Sequence, residues 1–314
     1  MTDILTVTVN PVIDIHYYTE EFVIGRDNIV SCRELFAAGK GMNVSRALHA
    51  FGISTEAFLL LGTENASEYL RLAGSYGVPV SYVPAEGAVR ENISVNAPNS
   101  ETRLCSKSFT ASPALLSELS ARIFPAADRA DAAVFSGSLP RGITQKDFAE
   151  FVQSVRRAAP HCRIFLDCPS LTIEAAAAIA PFLMKPNAEE AAGLLGLPRS
   201  ETPSPQAAVL WAEQLCIRGQ CAHTVVSCGA AGAAYASKGG ASGFLTAPKT
   251  ERTVSTVGAG DSMLAGIIYG FFHESTADLK SALRWGAAFG SAACLTRGTQ
   301  PPEQETVLKL LREL

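Results

Sequence analysis

The sequence has few charged residues and no strongly basic segment. Asp, Glu, Lys and Arg make up only 18% of the 314 residues, and the formal net charge is −4. The low charged fraction argues against long disordered tails, and an acidic chain without a Lys/Arg run is a poor match for nucleic acid. An anionic small-molecule ligand would therefore need local cations or backbone amides to bind.

Long apolar runs and clustered cysteines are missing as well. No run is long enough to span a membrane, and the N-terminal residues MTDILTVTVNPVID lack the basic start of a signal peptide. The eight cysteines form no Cys-x-x-Cys pair and no zinc-type spacing with His. We expect reduced, structural cysteines in a cytoplasmic protein that binds neither nucleic acid nor membranes.

The sequence does contain a repeated alternation of short apolar strands and helical segments. Strand-length apolar runs lie at 4–9, 57–61, 131–135, 163–166, 182–184 and 224–227, and helical spacing lies at 42–51 and 65–76. Such repeats predict an α/β fold with a mostly parallel sheet covered by helices on both faces. Ligands of these sheets bind beyond the carboxyl ends of the strands, so functional residues are expected in the turns that follow strands.

Two segments interrupt this alternation, at about 16–34 and 89–109. Both alternate apolar and polar residues without helix signals, and the second contains a predicted hairpin turn at Pro98, Asn99 and Ser100. They predict a small second sheet over the main one. No linker, repeat or low-complexity stretch divides the chain, so we expect one domain over 1–314 with these two lid segments inserted.

The strongest motif is VGAGDS at 257–262. Gly258, Ala259 and Gly260 predict a tight turn, and apolar residues at helical spacing predict a helix that starts near Asp261. A glycine turn at a helix N-terminus points free amides and the positive end of the helix dipole at one place, which favours an anion. Asp261 beside that site could accept a hydroxyl proton while the amides hold a transferring phosphoryl group.

Two other interpretations of this motif remain open from the residues alone. Asp261 could merely cap the helix, or Gly258 and Gly260 could begin a dinucleotide-binding fingerprint. The latter is disfavoured because Met263 occupies the third glycine position, Asp278 follows no strand, and too few residues remain for the rest of that fold. The chain also contains no Gly-x-x-x-x-Gly-Lys-Ser/Thr, which excludes a P-loop.

Six segments, in this order along nearly the whole chain, resemble the pfkB (ribokinase-like) family of sugar kinases. They are TVNPVID at 8–14, AAGKGMNVSRALHAFG at 37–52, SGSLPRG at 136–142, KPNAEE at 185–190, VVSCGAAGA at 225–233 and VGAGDS at 257–262. TVNPVID and the Lys of AGKGMNV are most similar to the 1-phosphofructokinase and tagatose-6-phosphate kinase branch. The resemblance implies a three-layer α/β/α domain with a mostly parallel central sheet, a small β-sheet lid, and in-line phosphoryl transfer from Mg·ATP.

The resemblance also implies roles for individual residues. The expected catalytic residues are Asp261 with Gly258, Ala259 and Gly260. The expected sugar-binding residues are Asp14, Gly39, Lys40, Asn43, Arg90, Arg103 and Ser138. The expected nucleotide-binding residues are Lys185, Asn187, Ser227, Gly229, Gly232 and Ala287, with Glu190 organising Mg²⁺ through water. Lys40, Arg90 and Arg103 together would suit a sugar that already carries a phosphate.

Some of these assignments have simpler alternatives. Asn187 and Glu190 are also spaced as an ordinary capping box, Arg103 could be a surface ion-pair residue, and Lys107 is a weaker phosphate candidate. Ala38 replaces the first glycine of the family's Gly-Gly-Lys-Gly, and Asp27-Asn28-Ile29 lacks an expected basic residue, for which Arg26 could substitute. These departures lie on the sugar side and leave the exact sugar open.

The implied activity is phosphorylation of a sugar phosphate, with conversion of fructose 1-phosphate to fructose 1,6-bisphosphate as the first expectation. Tagatose-6-phosphate kinase, 6-phosphofructokinase, another pfkB sugar or nucleoside kinase, and a non-catalytic sugar-phosphate sensor are the alternatives. The resemblance further implies ATP and Mg²⁺ as cofactors and a homodimer formed through the β-lid.

Overall fold

A computed structural model describes residues 3–98, 100–198, 202–250, 252–273 and 278–314. The strands are β1 (Asp3–Thr8), β2 (Val12–Tyr18), β3 (Cys32–Ala38), β4 (Ser54–Gly62), β5 (Val80–Ala85), β6 (Arg90–Ala97), β7 (Ser100–Cys105), β8 (Ala132–Ser136), β9 (Arg163–Asp167), β10 (Leu183–Met184), β11 (His223–Ser227), β12 (Gly232–Ser237) and β13 (Ser242–Thr246). The helices are α1 (Lys40–His49), α2 (Ala66–Gly74), α3 (Pro113–Ala127), α4 (Gln145–Ala158), α5 (Ile173–Ile179), α6 (Ala188–Leu195), α7 (Pro205–Arg218), α8 (Ala259–His273), α9 (Leu279–Ala293) and α10 (Gln304–Leu311).

The main sheet has nine strands in the order β13-β12-β11-β10-β9-β8-β1-β4-β5. Neighbouring strands from β11 to β5 pair in parallel, whereas β12 and β13 add an antiparallel edge. The predicted mostly parallel α/β sheet is therefore confirmed. No helix in the described part of the chain is long and apolar enough to cross a bilayer, and all eight cysteines are unpaired.

Alternate residues of the central strands enter two separate cores. In β9, Ile164 and Leu166 pack on the face that α3 to α7 cover, whereas Phe165 packs on the opposite face with α1, α8, α9 and α10. Helix α2 covers the edge of that second face, where Tyr69 is fully buried. Successive side chains of a strand point to opposite faces of the sheet, and apolar residues here occupy both faces. Helices therefore cover both faces, which gives three layers.

A second sheet of four strands, in the order β3-β2-β6-β7, forms the lid. Its strands extend beyond the predicted 16–34 segment at both ends, since β2 begins at Val12 and β3 ends at Ala38. Strands β6 and β7 form the predicted hairpin, while Asn99 of its turn lies outside the described residues. Ile13, Ile15 and Ala37 on one lid face pack against α2 and β4, so Asp14 and His16 belong to the opposite lid face.

Candidate active site

The VGAGDS segment forms a turn and the start of α8. Gly258 has a φ of 78°, a conformation that favours glycine. The Ala259 amide donates to the Thr256 carbonyl at 3.3 Å and the Ser262 amide to Gly258 at 2.9 Å, whereas the Gly260 and Asp261 amides have no backbone acceptor among the described residues. Two amides at the start of α8 are therefore free to bind an anion, whereas the Ala259 amide is already engaged.

Asp261 lies in the first turn of α8 and is only 7% exposed. Its Oδ2 accepts a hydrogen bond from Asn43 Nδ2 at 2.8 Å. Burial raises the pKa of Asp261 to about 6, with nearby Lys40 acting to lower it. A carboxylate of this pKa is still ionised at neutral pH and is a stronger base than an ordinary Asp.

Lys40 and Lys185 meet at a buried carboxylate that the sequence reasoning missed, Asp167. Lys40 Nζ lies 2.8 Å from Asp167 Oδ1, and Lys185 Nζ lies 3.1 Å from Oδ2. Burial opposes ionisation of Asp167, but the two ammonium groups outweigh it and lower the pKa. Burial likewise disfavours the charged form of Lys40, but Asp167, Asp261 and Glu190 outweigh it and raise the pKa. Asp167 and Lys40 each therefore stabilise the charged form of the other.

Through Asp167, Lys40, which was expected to bind the sugar, lies close to Lys185, which was expected to bind the nucleotide. A Cβ on Gly260 would come within 3.6 Å of Lys185 Nζ, so this charged array adjoins the free amides of α8. The sequence did carry a signal for Asp167, because it is the last residue of β9, and the carboxyl ends of parallel strands are where ligands bind.

A cleft of about 950 Å³ opens on the other side of this turn. Five expected nucleotide-binding residues line it: Asn187, Ser227, Gly229, Gly232 and Ala287. Ala259 and Gly260 form its boundary toward Asp261. Gly232 has a φ of 125°, and a Cβ there would collide with the Leu245 carbonyl. The structure thus brings these residues together in a cleft of a size typical of small-molecule sites.

Asn187 and Glu190 form a capping box at the start of α6. Asn187 Oδ1 accepts from the Glu190 amide at 2.8 Å, and Glu190 Oε2 accepts from the Asn187 amide at 2.9 Å. The capping alternative is therefore correct for these contacts. The other oxygen, Glu190 Oε1, lies 3.8 Å from Lys40 Nζ and so borders the charged array.

The polar face of the lid carries Asp14, Asn92 and the two expected arginines. Asn92 Nδ2 donates to Asp14 Oδ1 at 3.1 Å. Burial raises the pKa of Asp14, and Asn92, His16, Arg103 and Arg90 act to lower it. Asp14 is directly opposite Asn92, whereas Arg90 pairs with Val12 and Arg103 with Ser94. The two arginines therefore flank Asp14 from opposite ends.

Arg90 and Arg103 differ in burial and in their partners. Arg90 Nε is buried and has no hydrogen-bond partner in the described part of the chain. The Arg103 side chain is 46% exposed and lies 3.8 Å from Glu101, which is the surface ion pair considered above. Arg90 is thus the cation with unused hydrogen-bonding capacity beside Asp14.

Ser138 follows β8 of the main sheet, and Gly39 follows β3 of the lid sheet. Asn10 Nδ2 donates to Ser138 Oγ at 3.0 Å, while Asn10 Oδ1 is buried without a partner among the described residues. Gly39 has a φ of 126°, and a Cβ there would lie 2.9 Å from Thr8 Cγ2. The sequence reasoning missed Asn10, although it directly follows the first strand.

The family model for pfkB family carbohydrate kinases matches residues 5–306. The chain belongs to the pfkB family of carbohydrate kinases. It is similar to the 1-phosphofructokinase of Rhodobacter capsulatus, with 31% identity over 98% of this chain and 96% of the relative. It is 30% identical to the 1-phosphofructokinase of Escherichia coli K12 over 88% of this chain and 86% of the relative.

Solved structures of the family have the same fold. A crystal structure of phosphofructokinase-2 from Escherichia coli in complex with potassium has a TM-score of 0.86 and 25% identity, and the match covers 100% of this chain and 99% of that one. The resemblance seen in the sequence and the ribokinase-like fold are therefore confirmed. This pfkB protein is an ATP-dependent carbohydrate kinase.

Proposed function

We propose that this pfkB kinase transfers the γ-phosphoryl group of ATP to a sugar that already carries a phosphate, and that fructose 1-phosphate is its acceptor. The observation that carries the proposal is Arg90, whose buried Nε has no hydrogen-bond partner in the described part of the chain and lies beside Asp14 on the lid. A guanidinium in this state suits a phosphate, which accepts strong charge-assisted hydrogen bonds. The similarity to 1-phosphofructokinases supports the choice of sugar.

Sugar hydroxyls are proposed to bind between the lid and the strand ends. Asp14 and Asn92 provide carboxylate and amide groups on the lid, and Asn10 with Ser138 provides a second polar pair below it. Gly39 allows the start of α1 to approach closely, and Asn43 connects this region to Asp261. The acceptor hydroxyl would then lie next to the Asp261 carboxylate.

Asp261 is proposed to accept the proton of that hydroxyl as the oxygen attacks phosphorus. The free amides of Gly260 and Asp261 and the ammonium group of Lys185 would hold the charge of the phosphoryl group in transfer. Positioned bases contribute about 10²- to 10⁴-fold in rate. Lys40, which forms an ion pair with Asp167, would add positive charge near the acceptor sugar.

The nucleotide is proposed to occupy the 950 Å³ cleft, with its phosphates directed to the start of α8. Glu190 and Asp167 are hard oxygen donors of the kind that Mg²⁺ prefers. No group of three or more His, Cys, Asp or Glu among the described residues would hold a metal by itself. Mg²⁺ would therefore be bound mainly by phosphate oxygens, with Glu190 acting through water, and would neutralise phosphate charge.

We further propose a homodimer through the lid. Ile24 and Ile29, in the segment between β2 and β3, are 90% and 87% exposed. Large apolar side chains at such exposure are typical of surfaces that a partner covers. Sedimentation velocity of the wild-type chain and of Ile24→Ser with Ile29→Ser tests this: a monomeric wild type would contradict it.

The acceptor is tested by measuring ADP release with Mg·ATP and a panel of sugars. The panel contains fructose 1-phosphate, fructose 6-phosphate, tagatose 6-phosphate, fructose, ribose and a nucleoside. We expect the highest kcat/KM for fructose 1-phosphate, with fructose 1,6-bisphosphate identified by phosphorus NMR. Preference for an unphosphorylated sugar would refute the phosphate site, and binding without turnover would favour the sensor alternative.

The role of Arg90 is tested by Arg90→Ala with Arg33→Ala as the matched control. Arg33 belongs to the same lid sheet but lies on the opposite face, opposite Tyr17 in β2. Losing a charge-assisted hydrogen bond should raise the KM for the phosphorylated acceptor by about 10-fold or more, with little effect on the KM for ATP. Equal effects of the two substitutions would remove the case for a phosphate at Arg90.

A further inference from the structure

A buried cation outside the groups described above lies on α1, behind the site. Arg46 is 6% exposed, yet no ion pair between Arg46 and a carboxylate is found within the described ranges. Its guanidinium lies 3.9 Å from the ring centre of Tyr76 and 5.6 Å from that of Phe36. Asp14 acts on Arg46 electrostatically but is not within ion-pair distance. Burying a cation without a close carboxylate is costly, so the other contacts of Arg46 must hold it in place.

The polar contact of Arg46 is with a segment that follows α9. Arg46 Nη1 donates to Thr299 Oγ1 at 3.1 Å. Thr299 in turn packs behind the amide turn, because a Cβ on Gly258 would lie 3.7 Å from both Thr299 Cα and Cγ2. Arg46 therefore holds the residue on which the Gly258 turn rests.

The same segment also touches the lid. A Cβ on Gly298 would lie 2.8 Å from Phe36 Cε2 and 3.4 Å from His16 Nε2, and both side chains belong to the lid sheet. Tyr76, whose ring lies against Arg46, accepts a hydrogen bond from the Ala37 amide of β3 at 3.0 Å. Arg46 thus contacts Tyr76, which is bonded to the lid, and Thr299, which packs behind the Gly258 turn.

We propose that Arg46 is a positioning residue for phosphoryl transfer. By fixing Thr299 behind Gly258, Arg46 keeps the Gly260 and Asp261 amides oriented toward the γ-phosphoryl group. Through Tyr76 and Phe36 it also links this orientation to the position of the lid. The proposal rests on the proposed function for its kinetic consequence, but its effect on nucleotide binding does not depend on the identity of the acceptor.

The test variant is Thr299→Val, which removes the acceptor oxygen at nearly constant volume, with Thr299→Ser as the rescue. Thr55→Val is the matched control, because Thr55 is also buried and its hydroxyl has no partner in the described part of the chain. Misplacing catalytic donors should lower the kcat of Thr299→Val by about 10- to 100-fold. The KM for the acceptor should change less than 2-fold, whereas the KM for ATP should rise because the γ-phosphate is held less well. Thr299→Ser should recover most of the kcat. Thr55→Val should match the wild type.

The second readout uses two nucleotides. The proposed function places the γ-phosphoryl group at the Gly260 and Asp261 amides. The ratio of the Kd for ADP to the Kd for the non-hydrolysable analogue AMP-PNP would then report on the contact between these amides and that group. Thr299→Val should lower this ratio by about 10-fold, which corresponds to one hydrogen bond, while the Kd for ADP stays constant. Arg46→Met should lower it similarly, and the double variant should lower it no further because both changes remove one contact.

The outcomes separate this proposal from the proposed function. If no sugar of the panel is phosphorylated, the proposed function fails, and the nucleotide ratio still decides the role of Arg46. An unchanged ratio in Thr299→Val overturns the positioning role, as does a Thr299→Ser variant that is as impaired as Thr299→Val. A kcat loss that accompanies a fall in Tm of more than about 4 °C, with an unchanged ratio, would show a merely structural contact.

Discussion

Asn43 Nδ2 donates to Asp261 Oδ2 at 2.8 Å, across 218 residues of sequence. The bond joins the first turn of α1 to the first turn of α8 and orients the carboxylate beside the free amides. It also stabilises the charged form of Asp261, because a donor to a carboxylate lowers its pKa. The raised pKa of about 6 is therefore the result of burial working against this bond and against the neighbouring Lys40 and Lys185.

Turnover should depend on pH in a way that reports on Asp261. If Asp261 is the base, only its carboxylate form is active, so kcat should fall tenfold per pH unit below about 6 and be level above it. Asn43→Ala removes a bond that lowers the pKa, so the falling limb should move to higher pH. A pH–rate profile of both proteins checks this. If kcat instead falls only near the ordinary pKa of Asp, or if Asn43→Ala does not move the pH of the fall, the assignment of Asp261 as the base is contradicted.

Asp261→Asn should lose activity while gaining stability. The folded-state pKa is raised, so the carboxylate destabilises the fold above pH 6, and this effect disappears below about pH 4, where the group is protonated in both states. At about 1.4 kcal/mol per pKa unit, Asn should stabilise the fold by about 2 to 3 kcal/mol at pH 7.5. Urea unfolding at pH 7.5 and pH 4 measures the difference, and equal stability at pH 7.5 would refute it. The kcat should fall by about 10²-fold or more.

Asp167→Asn should strongly destabilise the protein. The substitution leaves Lys185, which is 3% exposed, without its carboxylate partner, and removes the closest partner of Lys40. Breaking a buried ion pair from one side costs about 3 to 5 kcal/mol. Asp128→Asn is the matched control, since Asp128 is exposed at the end of α3, and it should change stability by less than about 0.5 kcal/mol. Similar unfolding midpoints for the two variants would show that the array is not tightly coupled.

Two glycines in helices should respond to alanine in opposite directions. A Cβ on Gly266 of α8 would lie 2.6 Å from the Trp285 carbonyl and 2.8 Å from Phe289 of α9, whereas a Cβ on Gly193 of α6 would meet nothing within 4 Å. Gly266→Ala should therefore destabilise by about 1 to 3 kcal/mol through overpacking. Gly193→Ala should stabilise by up to about 1 kcal/mol, because alanine is the better helix former. Thermal unfolding of both variants decides this, and a stabilised Gly266→Ala would show that α8 and α9 can separate without cost.

Local sequence patterns are sufficient to predict the α/β layers and the turn that leads into α8. Both are encoded in short continuous segments: a period of two in strands such as β9, and glycines at 258 and 260 followed by helical spacing. Backbone conformation and burial follow directly from such local patterns. The six family segments then indicated which turns carry the site, so Asp261, Asn43 and the cleft residues could be named before their positions were known.

The contacts between side chains that are distant in the sequence depend on the tertiary fold. Lys40 and Asp167 are 127 residues apart. The strand-end position of Asp167 indicates a ligand-binding residue, but it does not indicate that Asp167 pairs with Lys40 and Lys185. The pKa of Asp261 and the burial of Arg46 against Tyr76 depend in the same way on packing beneath other elements. Charge interactions and desolvation act through space over a few ångströms, so they become defined only when the strand ends, α1 and α8 have been brought to one edge of the sheet.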